Sequence, residues 1–209
     1  MRKEIEIIFE DAHLLVVNKP SGILVVPTPA GERHTLTARV RDFRKRREGT
    51  AAAFPCHRLD RDTSGLIIYA KTRDVQEKMM EAFKKRAVEK TYLAFVHGHP
   101  GKAEAVIEYR LEGQPAVTKY RILERKDGYS VVSVEPETGR TNQIRIHFKM
   151  IGHPLVGDRK FAVAGRYPVA FRRTALHAQK IVFHHPITGR RVSLMLDMPD
   201  DMKEFIARH

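Results

Sequence analysis

The sequence predicts an α+β fold: a mostly antiparallel, curved sheet in two packed halves with flanking helices. Three observations predict it. Short apolar or alternating runs recur along the chain at strand length. Asp127-Gly128 lies between two of these runs and is a two-residue hairpin signal. Only a few stretches carry helical spacing, two of them behind a threonine suited to cap them, Thr35 and Thr72.

Taken in order, Glu4 to Ile7 alternates, and His13 to Lys19 is apolar with a polar end. Pro20-Ser21-Gly22 is turn chemistry before the strand-like run Ile23 to Val26. From Thr35 a helix runs through Arg47, with Leu36, Val40 and Phe43 inward and Arg39, Arg41, Arg44, Lys45, Arg46 and Arg47 on the other face against Asp42. That face is either solvated or meets a polyanion. After Pro55 comes a polar loop, then the strand Leu66 to Ala70. Thr72 starts a second helix whose Val75, Met79 and Phe83 form a core stripe, not a cofactor site. Strands are expected over 90–96, 105–110, 118–123 and 129–135, and a short helix over 142–150. The stretch 158–173 holds Arg159, Lys160, Arg166, Arg172 and Arg173 against one acid. Strands over 175–183 and 191–196 and a helix from Pro199 close the chain. With no repeat and no linker, residues 1–209 read as a single catalytic-size domain.

Composition narrows the function. Among 209 residues, 38 Lys and Arg face 25 Asp and Glu, a net charge of +13. That excess favours a polyanionic partner, nucleic acid or an anionic membrane surface. No apolar run is long enough to span a bilayer, and the opening MRKEIEIIF carries acids where a secretion signal is apolar, so a cytoplasmic protein is expected. A single cysteine, Cys56, excludes an internal disulfide and a cysteine-cluster zinc site.

Most catalytic patterns are missing. His57-Arg58-Leu59-Asp60 superficially echoes a kinase catalytic loop, but no glycine-rich phosphate loop accompanies it. His57, Asp60 and Asp62 could touch a metal, yet Arg58 and Arg61 interleave them and would repel a dication, so no metal is expected. Ser64 lacks a nucleophile elbow. What remains is Asp60 between two guanidiniums. Nearby positive charge favours the ionised carboxylate, which suits a nucleophile or base and not a general acid. On the helix near Thr141, Arg145 is either a surface residue or a half-buried cation in want of a carboxylate.

At this point "HRLDRDTSGLIIYAKT" resembles the signature of the RluA-type pseudouridine synthases. "LLVVNKPSGILVVPT" is similar to that family's opening strands, Lys90-Thr91-Tyr92-Leu93-Ala94 to its K-x-Y-x-A motif, and "ETGRTNQIRIH" with "GHPLVGD" to its third motif. Leu176-His177-Ala178 and His185 to Gly189 resemble its C-terminal strands. The resemblance implies an enzyme that isomerises uridine to pseudouridine in structured transfer or ribosomal RNA, without cofactor or metal. It implies that Asp60 attacks the target uridine, that Arg145 is its ion-pair partner, and that Tyr92 packs on the flipped base. Arg58 would fill the gap that the base leaves, and Lys90 and Arg140 fall in the same motifs as RNA-contacting cations, with Arg44 and Arg47 as further candidates. Arg61 receives no role. The family's third motif usually has His where this chain has Asn142. No accessory RNA-binding domain is expected before the catalytic domain, so the catalytic domain would hold RNA itself, as a monomer. The rival is an RNA-binding or RNA-folding protein on the same scaffold without turnover. A DNA-binding protein is disfavoured, because no helix-turn-helix or finger pattern occurs.

Overall fold

The computed structural model describes residues 5–29, 31–162, 167 and 169–209. The chain divides into two compact units, Met1–Val88 with Lys180–Leu196, and Glu89–Gln179 with Asp197–His209.

In the first unit, β1 (Ile7–Glu10) and β2 (Leu14–Lys19) form a tight antiparallel hairpin. The Asp11 carboxylate closes it by accepting the amides of His13 at 2.8 Å and Leu14 at 2.7 Å. A helix, α1 (Leu36–Glu48), and the short strand β3 (Phe54–Pro55) follow. Strand β4 (Ser64–Ala70) pairs antiparallel with β2 from Leu14↔Ala70 to Lys19↔Gly65, and with β3. All seven residues of β4 are buried, as expected of an apolar run covered on both faces. Next comes α2 (Arg73–Lys84). After the second unit, the end of β9 (Leu176–His184) pairs antiparallel with β10 (Arg191–Met195). Leu14, Val16, Leu66, Ile68, Val75, Met79, Ile181 and Phe183 share one core. Thr35 and Thr72 cap the two helices, accepting the amides of Ala38 and Val75.

Two expectations change here. The run 23–26 is not a strand: the amides of Leu36 and Thr37 donate to the Leu24 and Val25 carbonyls at 2.8 and 3.1 Å. Those carbonyls thus serve the otherwise unpaired first turn of α1. The inward face of α1 also includes Arg44, which lies one turn beyond Val40 and is 4% exposed. Its guanidinium bonds the Glu48 carboxylate at 2.7 Å and the Ala52 carbonyl.

In the second unit, β5 (Glu89–His97), β8 (Tyr129–Pro136), β7 (Gln114–Lys126) and β6 (Glu104–Leu111) lie side by side in that order, each pair antiparallel. The β6–β7 turn is Glu112-Gly113 with φ of 50° and 76°, the mirror-image turn that matches strand twist. Alternation decides the packing. Ala94 and Val96 of β5 and Val132 and Val134 of β8 meet Ile144 and Phe148 of α3 (Gln143–Met150). Leu93 and Phe95, with Tyr129 and Val131, meet Met202 and Phe205 of α4 (Asp200–Arg208) on the opposite face.

Candidate active site

The Asp60 loop belongs to the first unit. Leu59, 6% exposed, points inward and anchors it. Asp60 is half-buried, while Arg58 and Arg61 are exposed. The loop is held by its backbone. Lys19, 0% exposed at the end of β2, donates its ammonium hydrogens to the carbonyls of Thr63 at 2.7 Å, Arg61 at 2.8 Å and Pro20 at 3.1 Å. Three donors meet three acceptors. The Gly22 amide donates to the same Arg61 carbonyl at 2.9 Å, and the Thr63 amide turns back to the Asp60 carbonyl at 3.2 Å. His57 accepts the Ile68 amide at 3.1 Å and packs against the Phe83 ring. Arg61, unassigned from sequence, pairs with Glu32 at 2.9 Å, whose carboxylate also accepts from Thr28 at 2.5 Å. That chain of contacts ties Thr28 and Glu32 to the loop. Burial pushes the neighbouring Cys56 thiol up to about 12, so it offers no thiolate at neutral pH.

The second unit carries the other candidates. Tyr92 sits on β5 opposite Val134, half-buried against the core that includes Ile144. Lys90 is two residues upstream, and burial holds its ammonium pKa below the usual value. Gln143, 4% exposed, fixes the start of α3. Its amide group donates to the Val117 carbonyl and the Thr118 hydroxyl, both at 2.9 Å. Its carbonyl accepts from the Thr138 hydroxyl at 2.7 Å and the Arg140 amide at 3.0 Å. Arg140 itself, half-buried, donates to the Pro115 carbonyl at 3.3 Å.

Arg145 is half-buried on α3 and is held by its side chain. Its Nε donates to Asp158 Oδ2 at 2.6 Å and its Nη2 to Asp158 Oδ1 at 2.9 Å, a two-pronged pairing. Its Nη1 donates to Asn142 Oδ1 at 2.6 Å, and its plane lies 4.9 Å from the centre of the Phe161 ring. Asn142 has φ 54° and ψ 23°, a left-handed conformation that Asn and His both tolerate better than most residues. At this position, where the motif's usual His is replaced, the Asn142 side-chain oxygen accepts a hydrogen bond from Arg145. Asp158 was not singled out in the sequence, although it is the one acid in its basic stretch. Lys19 was read only as the polar end of a strand.

The cationic candidates divide. Arg44 is buried under α1 and engaged there, so it is withdrawn as an RNA contact. Arg47 is at the surface, paired with Glu10 and, at 3.0 Å, with Glu48; Glu48 is a helix acid that the count of charges on this face left out. The exposed cations of α1 are Arg41, Lys45, Arg46 and Arg47. In the second basic stretch Arg173, 6% exposed, is paired with Asp201 at 2.7 Å, and Arg166 lies outside the described residues. No group of three or more His, Cys, Asp or Glu among the described residues is placed to hold a metal ion, and none of their helices is long and apolar enough to cross a membrane.

Comparison with known proteins places these features in one family. Residues 13–150 match the family of RNA pseudouridylate synthases. The chain is 35% identical to the ribosomal large subunit pseudouridine synthase D of Zymomonas mobilis, over 95% of its own length and 71% of that protein's. Its backbone is similar to the human RNA pseudouridylate synthase domain containing 1, with a TM-score of 0.76 at 27% identity, covering 93% of this chain and 83% of that one. It is similar in fold to the human domain containing 4 protein, with a TM-score of 0.81 at 23% identity over 97% and 92% of the two chains. By family match and by a relative sharing a third of its residues over most of both chains, this chain belongs to the RNA pseudouridylate synthases and is an RNA pseudouridine synthase.

Proposed function

We propose that this enzyme modifies uridine in large-subunit ribosomal RNA, with Asp60 as the nucleophile. Asp60 attacks C1′ of the target uridine as the N1–C1′ bond breaks, the base turns, and C5 bonds to C1′ as the bond to the Asp60 oxygen breaks. The C5 proton leaves to solvent and N1 gains one, so no net redox change occurs. The uridine is first flipped from its stack, because a stacked and paired base cannot present its glycosidic bond to a carboxylate. Arg145 stabilises the charged form of Asp60, Tyr92 packs on the base, and Arg58 occupies the vacated stack. Lys90, Arg140 and the exposed cations of α1 contact phosphates, which position RNA without reading sequence. The enzyme acts as a monomer.

The observation that carries this reading is the Asp60 loop. Its backbone is fastened by a buried lysine, and it presents a half-buried carboxylate beside the exposed Arg58. The choice of ribosomal RNA is supported by the name of the Zymomonas mobilis relative.

The test is tritium release from C5-labelled uridine in ribosomal and transfer RNA from cells lacking the gene. Release from large-subunit ribosomal RNA by the parent, and none by Asp60→Asn, is expected. The variant's RNA affinity should stay within about threefold, since phosphate contacts set most of the binding. Release from transfer RNA alone would overturn the substrate, and equal release by parent and variant would overturn the nucleophile.

A further inference from the structure

We propose that a cavity on the open edge of the second unit's sheet, between β6 and the end of α3, is a nucleotide-binding site that holds an unpaired base of RNA. The ligand class follows from the family, so the site requires an RNA substrate but neither the choice of ribosomal RNA nor the role of Asp60.

The cavity has a volume of about 490 Å³. Ile107, Tyr120 and Ile151 give it an apolar lining continuous with the core against α3. Tyr109 lines it too, 43% exposed, with its ring edge-on to that of buried His147 at 6.2 Å. An exposed aromatic ring beside an apolar slot suits the flat face of a base, and such stacking is tolerant of sequence.

A base also needs partners along its edge, and the strand supplies them. Strand β6 ends the strand order, with β7 as its paired neighbour among the described residues. The Ile122 amide donates to the Ala103 carbonyl at 2.7 Å, and the register Ala105↔Tyr120 and Ile107↔Thr118 continues that ladder. Hydrogen-bonded pairs alternate along an antiparallel ladder, so the odd-numbered residues spend their backbone groups on β7. Val106 and Glu108, which also line the cavity, each turn an N–H and a C=O outward. Strand alternation puts the Glu108 carboxylate on the other face from Ile107, away from the slot. His153 adds an acceptor. Its Nδ1 donates to the His97 carbonyl at 2.8 Å, which leaves Nε2 with a lone pair in the neutral ring. Lys102 is exposed at the same cavity and suits a phosphate; its carbonyl accepts from the Tyr120 hydroxyl at 3.3 Å, which ties the lysine's loop to the slot. A stacking ring, an edge of donors and acceptors, and a cation together match a nucleotide. A peptide strand would use the backbone edge alone.

A fluorescein-labelled hexamer of adenosine probes the site apart from turnover, because it holds no uridine to isomerise. Tyr109→Ala should weaken its binding by about fivefold or more in fluorescence anisotropy, whereas Tyr109→Phe should stay within about twofold, since stacking uses the ring and not the hydroxyl. Lys102→Glu should also weaken binding, and should lower its salt dependence by about one released counterion. In amide NMR spectra the hexamer should shift the Val106 and Glu108 signals of the parent. Lys102→Glu, a surface change, decides the matter together with those signals if Tyr109→Ala does not fold. Parental affinity for both Tyr109→Ala and Lys102→Glu, or unshifted Val106 and Glu108 amides at saturating hexamer, would overturn the site while leaving the activity in place. A parent that binds the hexamer here yet releases no tritium from any RNA would overturn the function and keep the site.

Discussion

The two units immobilise their charged candidates in opposite ways. The loop that carries Asp60 is held through its main chain, where Lys19 and Gly22 fasten the Arg61 and Thr63 carbonyls. Arg145 is held through its side chain, by Asp158, Asn142 and Phe161. The difference is one of local means: a buried ammonium gathers main-chain carbonyls in one unit, and a buried carboxylate grips a guanidinium in the other.

Breaking the main-chain restraint should have the largest effect. Lys19→Met removes a buried ammonium and leaves the Pro20, Arg61 and Thr63 carbonyls without it. The Arg61 carbonyl keeps the Gly22 amide, so the Pro20 and Thr63 carbonyls are the ones left unsatisfied, and at about 1–3 kcal/mol for each a loss of at least about 2 kcal/mol is expected. It should appear as a lower denaturation midpoint and as faster amide exchange in 60–70 than in β5 or β8. Uniform exchange across both units would mean that the lysine does not serve the loop in particular.

Acid sharpens the same contrast from the other side. Burial lowers the pKa of His97 and His177 to about 4, and that of His147 in the same direction; all three are in the second unit. A neutral buried histidine binds its proton more weakly than in the unfolded chain. The stability it contributes is therefore present above the unfolded value near 6.5 and is lost as pH falls from there toward 4. Amide protection in β5 and β8 should weaken between pH 7 and 5 by up to about 4 kcal/mol more than in β2 and β4, about 2 kcal/mol from each of His97 and His177 at about 1.4 kcal/mol per pKa unit. An equal decline in both would refute the assignment.

The smallest effect separates two arginines on one helix. Arg46→Glu should weaken RNA binding by up to about tenfold and reduce its salt dependence, leaving the melting midpoint in place. Arg44→Glu should instead lower the midpoint, since it sets a carboxylate against Glu48 and the Ala52 carbonyl. Filter binding across a salt series, beside thermal melts, reads both; matching profiles for the two variants would dissolve the distinction.

These arginines also show what was legible in the sequence. The Asp127-Gly128 hairpin, the Thr35 and Thr72 caps and the stripe of Val75 and Met79 were readable because each is set by neighbours in sequence. Arg44 was misread because charge was weighed above position, though its spacing of four from Val40 put it on the buried face. The run 23–26 looked like a strand because an apolar run does not say where its carbonyls will bond. Strand β7 starts at Gln114, earlier than expected, and its register shifts between Ile122 and Glu124, which blurs an alternating pattern. The partners of Lys19 and Arg145 were out of reach. Residue 19 meets 61 and 63, and 145 meets 158, through turns that no local pattern encodes.

The order in which the chain is made bears on both cores. The first unit is sequence-discontinuous: its core waits for Ile181, Phe183 and Leu196, contributed after the whole 89–179 segment. The core against α4 waits still longer, for Met202 and Phe205. At translation rates of about 5–20 residues per second, a nascent chain would carry these two apolar faces unfinished for several seconds, while the face of β5 and β8 against α3 needs nothing later than Leu176. Nascent chains stalled before residue 181 should thus be cut by protease in both units, whereas a chain released past residue 205 should resist. Two of the three cores are thus completed from residues 181–205, and they mature almost at the same moment.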